Sequence, residues 1–365
     1  MDSSLAFEIG STLCFQIAIV IAAAAGLQRW LGDARAGCRL WTVCFLSILV
    51  IVAAAWLLPH RRLFDFPLDG RRESLLRIVT WQTRIAIALM TIWLTGLTVS
   101  LARRGWLCLQ LNHFLKHRCV AIEADALLER LQLQAPPKIE ILISDEIQGP
   151  FCWQLHRPLI VLPKALIDED DTTLRHVLLH EIEHLRTQHP MQHFLQGVCS
   201  TLLWFHPAMW MAARGADLTR EFLCDEAAAI GCGKFGAYLQ TLAKVAERCE
   251  NQSCTAVPRG TLAFGNQKST LIRRSERLVK IAQRPQQRPS KRPAIAIGAL
   301  IVVGVLVQQV WLPTNARASS RSEWSPWPSW TAEALHNSFD LQLRDFERFE
   351  NSLQMHELLP ETQDG

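Results

Sequence analysis

Charge is in short supply. Lys, Arg, Asp and Glu make up 20% of the 365 residues, against about 25% in ordinary soluble domains. A well-solvated globular surface of the usual kind is therefore not expected. The segment after the last apolar run lacks cysteine altogether, and the eleven cysteines are an odd number, so a disulfide framework is not expected either. The opening "MDSSLAFE" has no basic residue, and the apolar run behind it is too long for a cleavable signal peptide.

What the chain has instead is long uncharged apolar stretches. Ile9–Leu27, Leu40–Leu58, Ile85–Leu101 and Ala294–Leu312 each run without a charge for about 17–20 residues, the length a helix needs to cross about 30 Å of hydrocarbon. Four such runs predict about four transmembrane helices rather than buried helices of a soluble core. Lys268–Arg292, before the last run, carries nine Lys/Arg and one acid, whereas Asn315–Gly365 carries four Arg and nine acids. The positive-inside rule puts the former in the cytoplasm and the tail outside. Counting back places residues 102–293 in the cytoplasm. The six arginines of His60–Arg84 argue the other way, with the smaller asymmetry.

The organisation expected is a three-helix membrane region at 1–102, a metal-binding domain at 103–263, a basic linker at 264–293, a last span at 294–312 and a short external tail at 313–365. In the domain, Val120–Leu133 reads as an amphipathic helix ended by Pro136-Pro137. "KIEILIS" (138–144) reads as a strand, and "CWQLHRPLIVLP" (152–163) as two strands around a turn at His156–Pro158. "DEDDTTLRHVLLHEIEHLRTQH" supplies an N-cap and about four helical turns stopped by Pro190, and Phe235–Cys249 reads as a further helix. A small sheet followed by helices makes the domain α+β.

"LLHEIEHLRTQH" carries the chemistry. His180 and His184 are four residues apart, so on a helix they share a face and can direct imidazole nitrogens at one Zn²⁺. Glu181 lies about 100° round the helix, placed to act as a base without ligating. A catalytic site needs a third protein ligand. "REFLCDEAAA" offers Glu221 and Asp225, again four apart on an expected helix.

"LLHEIEHLRTQHP", "LLWFHPAMWMAA" and "REFLCDEAAA", with "GPFCWQLHRPLIVLP" before them, together resemble the integral-membrane zinc metallopeptidases of the BlaR/MecR antirepressor type. The resemblance covers roughly residues 1–312. It implies a gluzincin-like fold in a bacterial cytoplasmic membrane, zinc bound by His180, His184 and Glu221, Glu181 as the base, and Asp225 orienting a ligand from behind. His206 stands where that family usually has Asn. The tail is too short for the family's penicillin-binding sensor, and its "SSRSE" lacks the lysine of S-x-x-K, so recognition of β-lactams is not expected. Expected partners are the lipid bilayer and a peptide or protein substrate, such as a small winged-helix repressor, with no direct nucleic-acid contact and a homodimer left open. The competing functions are a CAAX-type or quality-control processing peptidase and a non-catalytic receptor with a structural metal. An intact Glu181 argues against the last.

Other residues take plainer roles. His176 shares the face of His180 and is expected to support a ligand from behind or to be ordinary helix polarity. Glu183 is expected to be solvated, Cys224 to be a small buried side chain, and His189 and His193 to be set aside because they flank Pro190. "EWSPWPSW" (323–330) is expected to form an aromatic belt. Phe194–Ala213 is apolar and about 20 residues long. A single crossing there would separate Glu221 from His180, so the segment is expected to break near His206-Pro207 and return.

Overall fold

A computed structural model describes residues 3–58, 72–154, 157–251, 262–263, 268–283, 291–312 and 338. The turn at His156, residues 60–71 of the arginine-rich loop, parts of the basic linker and the tail, with its tryptophans and Phe339, Phe346 and Phe349, lie outside the described residues. Among the described residues the chain is rich in helix, with one small sheet, and it forms two compact units.

The first unit comprises residues 1–24, 46–95 and 298–365. It draws on α1 (Ser3–Leu31), α2 (Ala34–Leu57), α3 (Arg72–His117) and the last helix of the chain. Three helical stretches, Ala6–Leu31, Ala34–Leu57 and Thr80–His117, are long and apolar enough to cross a membrane. The fourth apolar run forms a helix only over Arg292–Gln308, 17 residues, the short end of the spanning range. Beyond it, residues 309–312 leave the helix and lie against α1. Ile9, Ala55 and Trp311 pack together, the Trp311 indole N–H donates to Glu8 Oε1 at 2.8 Å, and Gln16 Nε2 donates to the Val310 carbonyl at 2.9 Å. Those bonds satisfy polar groups within an apolar bundle, where a lone buried donor or acceptor is costly.

The second unit comprises residues 25–45 and 96–297. Its sheet contains β1 (Val120–Ile122), β2 (Glu140–Ser144), β3 (Phe151–Gln154), β4 (Pro158–Pro163) and the short β5 (Leu262–Ala263), in the order β1-β2-β4-β3-β5. Only β2 and β4 run parallel. The helix expected over 120–133 is found only over Ala124–Arg130. Val120–Ile122 pairs with Ile141–Ile143 as an edge strand, and a short α4 (Ala124–Arg130) follows. The β-branched Val120 and Ile122 favour pleated pairing over helix, and Gln132, at φ 52°, stops the helix early.

After β4 come α5 (Lys164–Ile167), α6 (Asp171–Arg186), α7 (His189–Leu202), α8 (Pro207–Cys232) and α9 (Phe235–Asn251), then β5, α10 (Lys268–Ala282) and α11 (Arg292–Gln308). Half of the basic stretch read as a linker is thus the helix α10, whose Leu278 packs into a core with Tyr238 and Leu242 of α9. Leu174, Val177, Leu178, Ile182 and Leu185 give α6 an apolar stripe at helical spacing, buried against Ile141, Ile160 and Leu162 of the sheet. That stripe fixes the rotation of α6 and turns its histidine face towards α8 and α9. Between α7 and α8 the chain breaks at 203–206, where Pro207 opens α8. The ring of Trp204 there fills the space a Cβ on Gly96 would need.

The N-cap of α6 is set by Asp170, whose carboxylate accepts from the Thr173 backbone N–H at 2.9 Å and from its hydroxyl at 2.8 Å. Asp170→Ala should therefore cost about 1 kcal/mol and lower the melting temperature of the purified protein by roughly 2–4 °C. An unchanged melting temperature would show that the cap contributes nothing.

Candidate metal centre

Helix packing delivers each side chain of the centre. With its apolar stripe on the sheet, α6 presents His180 and His184 on the opposite face, both buried. The break before Pro207 lets α8 run alongside α6 and place Glu221 and Asp225, one turn apart, opposite the histidines. His180 Nε2 and His184 Nε2 stand 3.1 Å apart. The Glu221 carboxylate closes the triangle, with Oε2 3.5 Å from His180 Nε2 and Oε1 3.5 Å from His184 Nε2. Two ligands at about 2.0–2.1 Å from a tetrahedral zinc ion stand about 3.3 Å apart, so the trio fits such an ion. Its donor set of two imidazoles and a carboxylate also suits zinc.

Glu181 does not join the triangle. It is buried, the Cys152 thiol of β3 hydrogen bonds to it, and its Oε2 has no hydrogen-bond partner among the described residues. Burial raises its pKa to about 7, with Glu221 adding to the shift. A carboxylate so placed is a stronger base than one in water.

Both histidines are also engaged at the second ring nitrogen. His180 Nδ1 lies 3.0 Å from the Tyr238 hydroxyl and 3.2 Å from Asp225 Oδ1, and that hydroxyl donates to Asp225 Oδ1 at 2.8 Å. Burial disfavours the His180 imidazolium, but hydrogen bonds to Asp225 and Glu221 outweigh it and lift its pKa to about 9. Burial wins at His184 and holds it down at about 3. His184 Nδ1 is 3.0 Å from His189 Nδ1, which also lies 3.4 Å from Cys224 Sγ. His184, His189 and Cys224 therefore form a second close trio sharing one histidine with the first.

Arg274 of α10 closes the centre from the other side. Its Nε and Nη2 donate to the two Asp225 oxygens at 2.7 and 2.6 Å, and its Nη1 lies 3.0 Å from Glu221 Oε2. Burial alone would raise both carboxylates, yet Arg274 overrides it. Glu221 falls to about 2 and Asp225 is held well below the usual carboxylate range.

The structure revises several expectations. His176 donates to or accepts from Thr241 Oγ1 at 2.8 Å and packs edge-on against Tyr238, so it touches the His180 partner rather than a ligand. Glu183, expected in solvent, is buried, with Arg35 from the first turn of α2 and Arg186 each at 3.6 Å. Cys224 is buried as expected. His189, set aside beside Pro190, is buried against His184, and His193 sits 3.7 Å from Asp217. Sequence reasoning misses Tyr238 and Arg274. The one signal for the first is its being the chain's lone tyrosine. Arg274 is hidden in a basic stretch that reads as a linker.

The family described as BlaR1 peptidase M56 matches residues 70–274. The regulatory protein BlaR1 of Bacillus licheniformis is 23% identical over 142 residues, 38% of this chain and 24% of that protein. The methicillin resistance mecR1 proteins of Staphylococcus aureus and Staphylococcus epidermidis are each 28% identical over 88 residues, 24% of this chain and 15% of theirs. The chain thus matches about a quarter or less of the length of these relatives. The family match covers more than half of the residues, from the middle of the apolar N-terminal region through the His180–Glu221 centre to Arg274, and on that ground the chain belongs to the BlaR1 peptidase M56 family of metallopeptidases.

Proposed function

We propose that this chain is a membrane-embedded zinc endopeptidase that transduces a signal by cleaving itself, a cytoplasmic repressor, or both. The observation that carries the reading is the convergence of His180 Nε2, His184 Nε2 and the Glu221 carboxylate beside a buried Glu181 whose Oε2 is unpartnered among the described residues. In this reading His180, His184 and Glu221 hold the ion. When bound, zinc supplies a Lewis acid that polarises a carbonyl and acidifies water. Glu181 takes the proton of the attacking water and returns it to the departing amide nitrogen. Asp225 and Tyr238 orient His180, and the dry surroundings strengthen every charge interaction in the site.

A segment of the chain itself supports self-processing. Leu262 and Ala263 pair antiparallel with Cys152 and Phe151 of β3, and Cys152 is the residue that hydrogen bonds Glu181. An extended piece of this chain therefore lies along the strand bordering the base, the manner in which peptides commonly add to a sheet edge.

The membrane arrangement rests on charge asymmetry and two structural observations. Glu8 near the start of α1 bonds Trp311 just beyond α11, which supports both chain ends emerging on one side of the bilayer. On either side of the α7–α8 break, Phe194 of α7 and Trp210 and Met211 of α8 are 57%, 52% and 65% exposed. Such side chains favour lipid or its interface over water, in keeping with a segment that enters the membrane and returns.

Glu181→Gln should abolish proteolysis while leaving zinc stoichiometric, whereas His184→Ala and Glu221→Ala should lose both. Metal analysis of the purified variants checks this, and full zinc retained by Glu221→Ala would refute the ligand set. Alkaline phosphatase, which is active only outside the cytoplasm, should be active when fused at Gly365 and inactive when fused at Asn251. The opposite pair would put the catalytic domain outside.

A further inference from the structure

His189 stands behind the second candidate ligand in a position its sequence context disfavours. Between α6 and α7, Gln188 takes φ 56°, in the left-handed region that a residue with a side chain rarely adopts. This turn starts α7 at His189 and folds its ring back beneath His184. The two Nδ1 atoms come to 3.0 Å and the ring centroids to 5.0 Å, at an interplanar angle of 73°. His189 is fully buried, at 0% exposure, so the contact is not a surface accident.

The proton count at this contact follows from what a ligand histidine requires. An imidazole that offers the Nε2 lone pair to an ion carries its proton on Nδ1, and that proton needs an acceptor. For His180 the acceptors are Asp225 and Tyr238. For His184 the atom at hydrogen-bonding distance is His189 Nδ1, which must then be unprotonated and carry its own proton on Nε2. That Nε2 is buried without a partner among the described residues. An orphaned donor in the interior is a cost, borne here to leave Nδ1 free to accept. The Cys224 thiol, 3.4 Å from the same nitrogen, adds a second, weaker donor and holds the ring from the α8 side.

We propose that His189 is a positioning residue that fixes the tautomer and ring orientation of His184 through an Nδ1 to Nδ1 hydrogen bond. The inference rests on the zinc reading of His180, His184 and Glu221. A further ion held by His184, His189 and Cys224 beside the first would require His184 to give up both ring protons and Cys224 its thiol proton while facing Glu221 and Asp225. The hydrogen-bonded arrangement requires neither.

The test uses the full-length protein purified in detergent and titrated with zinc against a competing chelator, with the absorption spectrum of the cobalt-substituted form as a second readout. His189→Leu should weaken zinc binding roughly 10- to 100-fold, the usual effect of removing a partner behind a ligand, and should shift the cobalt bands. His189→Asn, whose side-chain oxygen can occupy the place of Nδ1, should restore both. A purely structural role predicts that the two variants behave alike. Should His189→Leu fail to fold, His189→Asn and His189→Phe carry the same comparison, with and without an acceptor. Native affinity in the variant without an acceptor would overturn the inference. So would a second metal equivalent that disappears with His189. Failure of the wild-type chain to bind zinc, or zinc binding independent of Glu221, would overturn the underlying metal reading instead.

Discussion

The centre depends on the burial of two carboxylates one helical turn apart. Glu221 and Asp225 face the same site from α8, and two adjacent anions removed from water would repel each other and take up protons. Arg274 prevents this by binding both, with its guanidinium fork spanning Asp225 and one arm reaching Glu221. With both acids ionised, Glu221 can act as a ligand and Asp225 can accept from Tyr238 and His180. Removing one partner from a buried charge group of this kind typically costs about 3–5 kcal/mol, which makes α10 part of the centre.

A second constraint is that α6 has to satisfy two environments. One stripe, from Leu174 to Leu185, is committed to the sheet, and rotation by even one residue would bury a histidine among aliphatic side chains. The rigidity needed by a metal site is therefore supplied by ordinary hydrophobic packing on the far side of the same helix. α8 is held in turn by small close contacts, including Gln28 Nε2 donating to Thr219 Oγ1 at 2.5 Å.

Much of this is legible in the sequence, for physical reasons. Apolar runs of bilayer length have few other uses, and three of the four form helices long enough to span. His180, Glu181, His184 and Glu221 sit at spacings that a helix turns directly into neighbours. Other features are not legible because they depend on contacts distant in sequence. Arg274 is indistinguishable from other linker arginines until α10 docks on α8. His189 looks disqualified by Pro190, since periodicity cannot foresee a left-handed Gln188 that folds the chain back. Glu183 looks solvated because its partner Arg35 lies far away in sequence, at the start of α2. Val120–Ile122 reads as the start of a helix until β2 offers it a partner.

X-ray absorption at the zinc edge of the full-length protein tests the ligand set most directly. Zinc held by His180, His184 and Glu221 predicts a first coordination sphere of nitrogen and oxygen at about 2.0–2.1 Å, with the multiple-scattering pattern of two imidazoles and no sulfur. A sulfur scatterer at about 2.3 Å would instead draw Cys224 or Cys152 into the sphere and contradict a centre built from two histidines and Glu221.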